Sequence, residues 1–290
     1  MLYIVATPIG NLQDITLRAI EILQQVDLIA TEDTRQAKKL LQHLNIHKSL
    51  IALHAHNEQQ QSANLIAQLQ QNRSIALITD AGTPLISDPG LPLVRMAHAQ
   101  NIRVVPIPGA CALITALSAS GIETARFSFE GFLSAKASAR RKHLMTLILE
   151  TRTMLFYEAP HRILACVQDM LEIFGKDRYI VLARELTKIY ETIKGGSLAE
   201  MAAWIAADSH QQQGEIVIVV SGCDAGTAMV NTDADASAEL QRMLPEAQRV
   251  LTILRQELSL TQASGLAAKI TGLSKKEVYT LGLKLENKFS

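Results

Sequence analysis

The chain has 290 residues, enough for two ordinary domains with separate cores, and its 48% hydrophobic content is that of a globular protein. Its 28 basic and 28 acidic residues cancel, which removes any global attraction to nucleic acid but leaves room for a local basic stripe. No apolar run is long enough to cross a bilayer, the opening MLYIVATPIG lacks the basic flank of an export signal, and the three cysteines form no CxxC, so a cytoplasmic protein without a disulfide framework or zinc site is expected.

Short β-rich runs alternate with helical patterns over the first 120 residues. LYIVAT (2–7) precedes a helix at 15–25, DLIAT (27–31) one around 37–44, and SLIALH (49–54) one at 62–71. SIALIT (74–79) precedes a helix at 91–100 and IRVVPI (102–107) one at 112–120. Strand–helix units in succession predict a mainly parallel sheet with helices on its faces, because parallel neighbours need crossover connections.

Downstream, strands are expected at 153–157, 178–183, 189–193 and 214–221, with helices at 161–174 and 197–207. Ser197 followed by Glu200 is a capping-box signature for the second helix. The hairpin-like pair 178–183 and 189–193 predicts a mixed sheet. Residues 222–237 are small, polar and acidic, as in a linker. Helical patterns follow at 239–258, 260–271 and 274–286, with Ser274 and Glu277 repeating the capping box. The expected fold class is therefore α/β: an N-terminal parallel-sheet domain (1–120), a mixed-sheet domain (121–222), a linker (223–238) and a helix-turn-helix-like extension (239–290).

Open parallel sheets bind ligands beyond the carboxyl ends of their strands. Those ends read Thr7-Pro8-Ile9-Gly10-Asn11, Thr31-Glu32-Asp33-Thr34-Arg35, His54-Ala55-His56-Asn57-Glu58, Asp80-Ala81-Gly82-Thr83-Pro84 and Pro106-Ile107-Pro108-Gly109, each polar or rich in Gly and Pro. TPIGN is not GxGxxG, and no GxxxxGK[ST] occurs, which argues against a phosphate-bearing cofactor. Stiff turns with free carbonyls and a carboxylate such as Asp80 favour a cation. S-adenosylmethionine, with a sulfonium and no phosphate, fits that description.

In order and spacing, VATPIGNLQD, TEDTRQAKKLL, HAHNE, DAGTPLISDPG, IPGACALITALSASG, FEGFLSAK, YEAPHR and ARELTKIYE resemble the small-subunit ribosomal RNA (cytidine-2'-O)-methyltransferase family of the tetrapyrrole methylase superfamily. The resemblance implies two α/β domains with S-adenosylmethionine in the cleft between them. It further implies a homodimer and ribose methylation of a cytidine in the decoding centre of 16S rRNA, on naked rRNA or the assembled 30S subunit. Ser134, Ala55 and Cys111 depart from the residues usual in that family.

On that resemblance, cofactor contacts fall to Pro8, Asp80, Gly82, Thr83, Pro84, Leu85, Ile86, Cys111 and Ala112, and from the second domain to Tyr157, Ala159, Leu186 and Glu215. Asp88 reads either as part of that loop or as a helix cap. A ribose hydroxyl is a poor nucleophile, so Glu32 or Asp33 is a candidate base, with Arg35 on a phosphate. Glu158 and His161 are rivals. Structural ion pairs with Arg35, Arg162 or Arg184, or a reaction without a base, are the competing readings. Lys136, Arg140, Arg141 and Lys142 form a basic stripe suited to an RNA backbone. His54 and His56 lack a third ligand at metal spacing, and no metal is expected. Two other functions stay open. A methylase of a small tetrapyrrole should show a glycine-rich first loop ending in aspartate where this chain has TPIGNLQD. A non-catalytic RNA-binding protein would leave the polar strand ends unexplained.

Overall fold

The computed structural model describes residues 1–223 and 246–286, with side chains as far as residue 282. Contacts divide the chain into two compact units, Met1–Cys223 and Asp224–Ser290. The expected linker lies almost wholly outside the described residues.

The first sheet contains β1 (Leu2–Val5), β2 (Leu28–Thr31), β3 (Leu50–Ala52), β4 (Ile75–Leu77) and β5 (Val104–Ile107) in the order β3-β2-β4-β1-β5. Every pairing is parallel, so all five carboxyl ends lie along one edge. Strand alternation builds two cores on opposite faces. Leu2, Leu28, Ala30, Ile75 and Leu77 face one, while Val5, Ile29, Ala76 and Ile78 face the other. Helices α1 (Leu17–Gln25), α2 (Thr34–His43), α3 (Glu58–Gln70), α4 (Leu91–Ala99) and α5 (Ala112–Ala119) follow strands β1 to β5 in turn.

The second sheet joins β6 (Phe127–Phe132), β7 (Thr153–Glu158), β8 (Tyr179–Arg184), β9 (Thr192–Ser197) and β10 (Ile216–Val220) in the order β6-β7-β10-β8-β9. Only β6–β7 is parallel. Met154, Phe156, Ile180, Leu182, Ile216 and Ile218 point toward α6 (Ala137–Thr146), α7 (Ile163–Phe174) and α8 (Leu198–Ala207) and fill one core. The alternate residues Leu155, Val181, Ala183, Val217 and Val219 pack instead with Ile9, Leu113, Ala116 and Leu117. The outer face of the second sheet is thus completed by α5 and the loop after β1. One apolar cluster joins the two sheets.

Two expectations for this half need correcting. The strand expected at 189–193 begins at Thr192, because Glu185 (φ 52°) and Thr187 (φ 66°) turn the chain first. The Arg184 guanidinium donates to the Tyr190 carbonyl (3.2 Å), and the Thr187 amide to the Glu191 carboxylate (2.7 Å), fixing that turn. Strand β6 was absent from the expected elements; its pairing with β7 shifts register between Phe129 and Phe132, where Gly131 takes φ 67°. The capping box at Ser197 and Glu200 is present in full.

In the second unit, α9 is described over 246–254, followed by α10 (Leu260–Thr271) and α11 (Lys275–Glu286). Val250, Leu251, Ala263, Ala267 and Val278 form its small core. Gly272 (φ 77°) stops α10, and Ser274 exchanges hydrogen bonds with Glu277 at the start of α11.

Candidate functional site

The chain after β4 is held in an unusual path. In DAGTPLISDPG, Gly82 (φ 86°), Leu85 (φ 71°), Ser87 (φ 71°) and Gly90 (φ 132°) all have positive φ. For leucine and serine that conformation costs about 1–2 kcal/mol each, so surrounding contacts must impose it. Thr7 and Gly82 exchange backbone hydrogen bonds of 2.8 and 3.0 Å, a single antiparallel bridge that ties the loops after β1 and β4 together. The Thr7 hydroxyl donates to the Thr79 carbonyl (3.1 Å), and the Thr83 hydroxyl to Ala110 (3.0 Å), which adds the loop after β5. Gly82 takes φ 86°, a conformation that favours glycine, and a Cβ there would also press within 3.3 Å of the Ile9 side chain.

This pinned loop forms one wall of a cavity of about 360 Å³, within the range of small-molecule sites. Asp80 to Thr83, Ile86 to Asp88, Ile9, Cys111 and Ala112 line it from the first sheet's side. The opposite wall is the outer face of the second sheet, with Tyr157, Ala183 and Val217 continuing the row buried against α5, and with Ala159, Leu186 and Glu215 beside them. The bulge in β6 turns Phe132 to the same side as Phe129. Both rings meet Tyr157 edge-on, with centroids 5.5 and 4.8 Å away. Burial of the Tyr157 hydroxyl pushes its pKa up to about 12, so it stays a neutral group.

Charge in the lining is one-sided. Asp80, Asp88, Glu158 and Glu215 border the cavity, and among the described lining residues there is no Lys, Arg or His. Asp88 is partly buried, and that burial, reinforced by Glu32 and Asp80, pushes its carboxyl up to about 6. Burial likewise raises the Asp80 carboxyl, whose oxygen accepts the Asp33 amide at 3.1 Å. Such a wall repels phosphate and suits a ligand with positive charge and an apolar body. S-adenosylmethionine, a cation with an apolar body and no phosphate, fits a lining of that kind.

Most of the expected cofactor contacts meet here: Asp80, Gly82, Thr83, Ile86, Cys111, Ala112, Tyr157, Ala159, Leu186 and Glu215 all line the cavity. Pro8 and Pro84 are buried and do not line it, and Leu85 packs against the core of the first sheet. Asp88 is not a helix cap. Gly90 occupies that position for α4, and its amide donates to Glu58. Ile9, Phe132, Ser87 and Gly214 line the cavity without having been singled out; Phe132 had a signal in the Gly131-Phe132 step, which marks a bulge.

The candidate bases separate. Asp33 caps α2 and holds Arg35 through its carboxylate (2.7 Å), and those hydrogen bonds keep its pKa near 2. Arg35 is thereby occupied by its own neighbour. Glu158 has a fully buried side chain, accepts the Ala159 amide (2.7 Å) and pairs with Arg162 (2.7 Å), a structural ion pair. Glu32 lies off the cavity lining, with its carboxyl raised by burial and by Asp80. His161 is exposed.

The basic stripe also separates. Arg140 is 4% exposed and binds Asp169 at 2.6 Å, contrary to the expectation that it faces RNA. A buried carboxylate on α7 needs a cation, and Arg140 supplies it from α6. Arg141 bridges Asp169 (2.6 Å) and Glu172 (3.0 Å) with its side chain half in solvent. Lys136 and Lys142 are exposed.

Two five-stranded α/β sheets around such a cleft define a class of methylase folds. The fold is shared with diphthine synthase, at a TM-score of 0.57 and 15% identity over 76% of this chain and 89% of that one. It is shared too with uroporphyrin-III-C-methyltransferase of Thermus thermophilus, at a TM-score of 0.54 and 16% identity over 76% of this chain and 93% of that one. The profile of the tetrapyrrole (corrin/porphyrin) methylases matches residues 1–202, and that of the RsmI C-terminal HTH domain matches 234–286. Proteins named ribosomal RNA small subunit methyltransferase I are similar over nearly the whole chain. That of Pseudomonas aeruginosa is 50% identical over 99% of this chain and 98% of its own length. That of Vibrio cholerae is 51% identical over 98% of this chain and 94% of its own. The chain belongs to the tetrapyrrole methylase family and, within it, to the small-subunit ribosomal RNA methyltransferases.

Proposed function

We propose that this protein methylates the ribose 2'-oxygen of a cytidine in small-subunit rRNA, using S-adenosylmethionine as donor. The observation that carries the donor assignment is the cavity lining, where Asp80 and Asp88 stand outside any ion pair among the described residues and no Lys, Arg or His lines the pocket. The acceptor assignment is supported by the names of relatives that are 50% identical over 99% of the chain, together with the motif resemblance. When bound, S-adenosylmethionine supplies an electrophilic methyl group on a positively charged sulfur.

The chain's own task is then to hold and to orient. The backbone of Gly82 to Ile86, with Cys111 and Ala112, would hold the donor from one side, and Tyr157, Ala159, Leu186 and Glu215 from the other. The pinned loop keeps that cradle rigid, and fixing reactants near attack geometry supplies much of the acceleration of a displacement. Phe132 and Tyr157, in edge-on contact, would supply an apolar wall for the donor. Lys136 and Lys142, with the half-exposed Arg141, would track the RNA backbone near the cleft. The protein would act as a homodimer in the cytoplasm, as in the family it belongs to, on rRNA or the 30S subunit.

Mass spectrometry of rRNA nucleosides from cells lacking the gene, then with it restored, tests the assignment. Loss and return of a 2'-O-methylcytidine is the expected result; an unchanged nucleoside profile overturns it.

A further inference from the structure

A methylated ribose oxygen must lose a proton, and the cavity contains a group placed to take it. Of its four acids, Glu158 is committed to Arg162 and the Ala159 amide, and Glu215 to Lys188 (3.1 Å). Asp80 accepts the Asp33 amide and helps fix the loop after β2. Asp88 is in no ion pair among the described residues and faces the Thr79 hydroxyl.

Its location is as telling as its partners. The cavity lies over the ends of β4, β1 and β5, and β2 is the next strand beyond β4. Asp88 feels Glu32, at the end of β2, and Asp80 on that side, while its own charge is felt by Tyr157 across the cleft. It therefore stands where the donor pocket meets the β2–β3 rim, the side left for an incoming nucleotide. Resting on the methylation reading above, we propose that Asp88 is the catalytic residue that accepts the proton of the acceptor ribose hydroxyl.

In this step the ribose oxygen forms a bond to the methyl carbon and gives its hydrogen, as a proton, to the Asp88 carboxylate. The electron pair of the broken carbon–sulfur bond stays on sulfur, which leaves as a neutral thioether. The Asp88 carboxylic acid then returns its proton to solvent. Glu32, Asp80 and the neutral Tyr157 hydroxyl are the titratable groups facing Asp88. A carboxyl held near 6 is ionised at neutral pH and is a stronger base than an ordinary aspartate.

The test is Asp88→Asn in the full-length protein, assayed on 30S subunits and on naked rRNA. The expected result is a kcat loss of about 100-fold or more at saturating S-adenosylmethionine, with calorimetric affinity for it lowered by no more than about tenfold through loss of one lining charge. The acid limb of the wild-type pH–rate profile should vanish with the substitution, and Asp88→Glu should restore part of the rate. In cofactor-free protein, carbon-13 NMR should show one carboxyl titrating near pH 6 that is missing from the Asn variant. A variant that keeps its kcat and acid limb overturns the proposal. A loss of turnover that saturating S-adenosylmethionine restores also overturns it, making Asp88 a binding group alone. If wild-type protein methylates neither substrate, the methylation reading itself falls, and the role of Asp88 with it.

Discussion

Loop 80–90 and helix α6 both carry clustered charge, and the fold treats the two in opposite ways. On α6 the most buried cation, Arg140, meets Asp169 from α7 and is neutralised. Around the loop, Asp80 and Asp88 are in no ion pair among the described residues, and burial raises both carboxyls. One pairing holds helices together. The other arrangement leaves negative potential facing a cavity, at a cost to stability. Charge in a sequence becomes structural or functional according to what a distant segment brings to it.

Removing the pairing on α6 should have the largest effect. Arg140→Ala leaves the buried Asp169 with only the half-exposed Arg141 as partner and should cost about 3 kcal/mol in urea denaturation. An effect no larger than that of an exposed lysine would break the contrast. Next comes Gly82→Val, which forces a β-branched residue into positive φ against Ile9. It should weaken S-adenosylmethionine binding by about 100-fold in calorimetry while the far-ultraviolet circular dichroism is retained. Lys136→Glu with Lys142→Glu, at exposed positions of the same helix region, should lower activity on 30S subunits by about tenfold, with a weaker salt dependence and the same melting temperature. Equal activity at every salt concentration would remove α6 from the RNA surface.

The smallest effect sharpens the contrast most. The folded Asp88 pKa lies above its ordinary value of 3.8, at about 6, so the folded state binds the proton more tightly. This group's contribution to stability therefore falls as pH rises through that window. Asp88→Asn should stabilise the protein by about 1 kcal/mol at pH 7, after discounting for its partial exposure, and by nothing below pH 4. A gain in stability together with a loss of turnover is the signature of a group kept for chemistry.

The parallel sheet was legible because its strands are short apolar runs separated by helical periods, and its carboxyl ends announced themselves by composition. The second sheet was harder to read. Gly131 interrupts FSFEGF at a bulge, so β6 lacks clean alternation, and Gly195-Gly196 sit in edge strand β9, where the Tyr179 ring covers the missing side chain of Gly195. Leu17 fits the helical spacing of α1 yet is 79% exposed, because the buried stripe runs through Ala19 and Leu23. Within the site, the loop residues could be named from their motif. The Glu158–Arg162 pair, four residues apart, was within reach of the sequence; which other acid lacks a partner was not, since Lys188 and the Asp33 amide reach Glu215 and Asp80 only through the fold.

The left-handed turns at Leu85 and Ser87 have a consequence for how this protein fails. A segment whose preferred local conformation differs from its native one is held by its neighbours, here through Thr7, Thr79 and Ala110. Mild denaturant should let it relax before either sheet melts. Ligand affinity would then vanish at urea concentrations where secondary structure is still intact, so competence is a more fragile property of this molecule than foldedness.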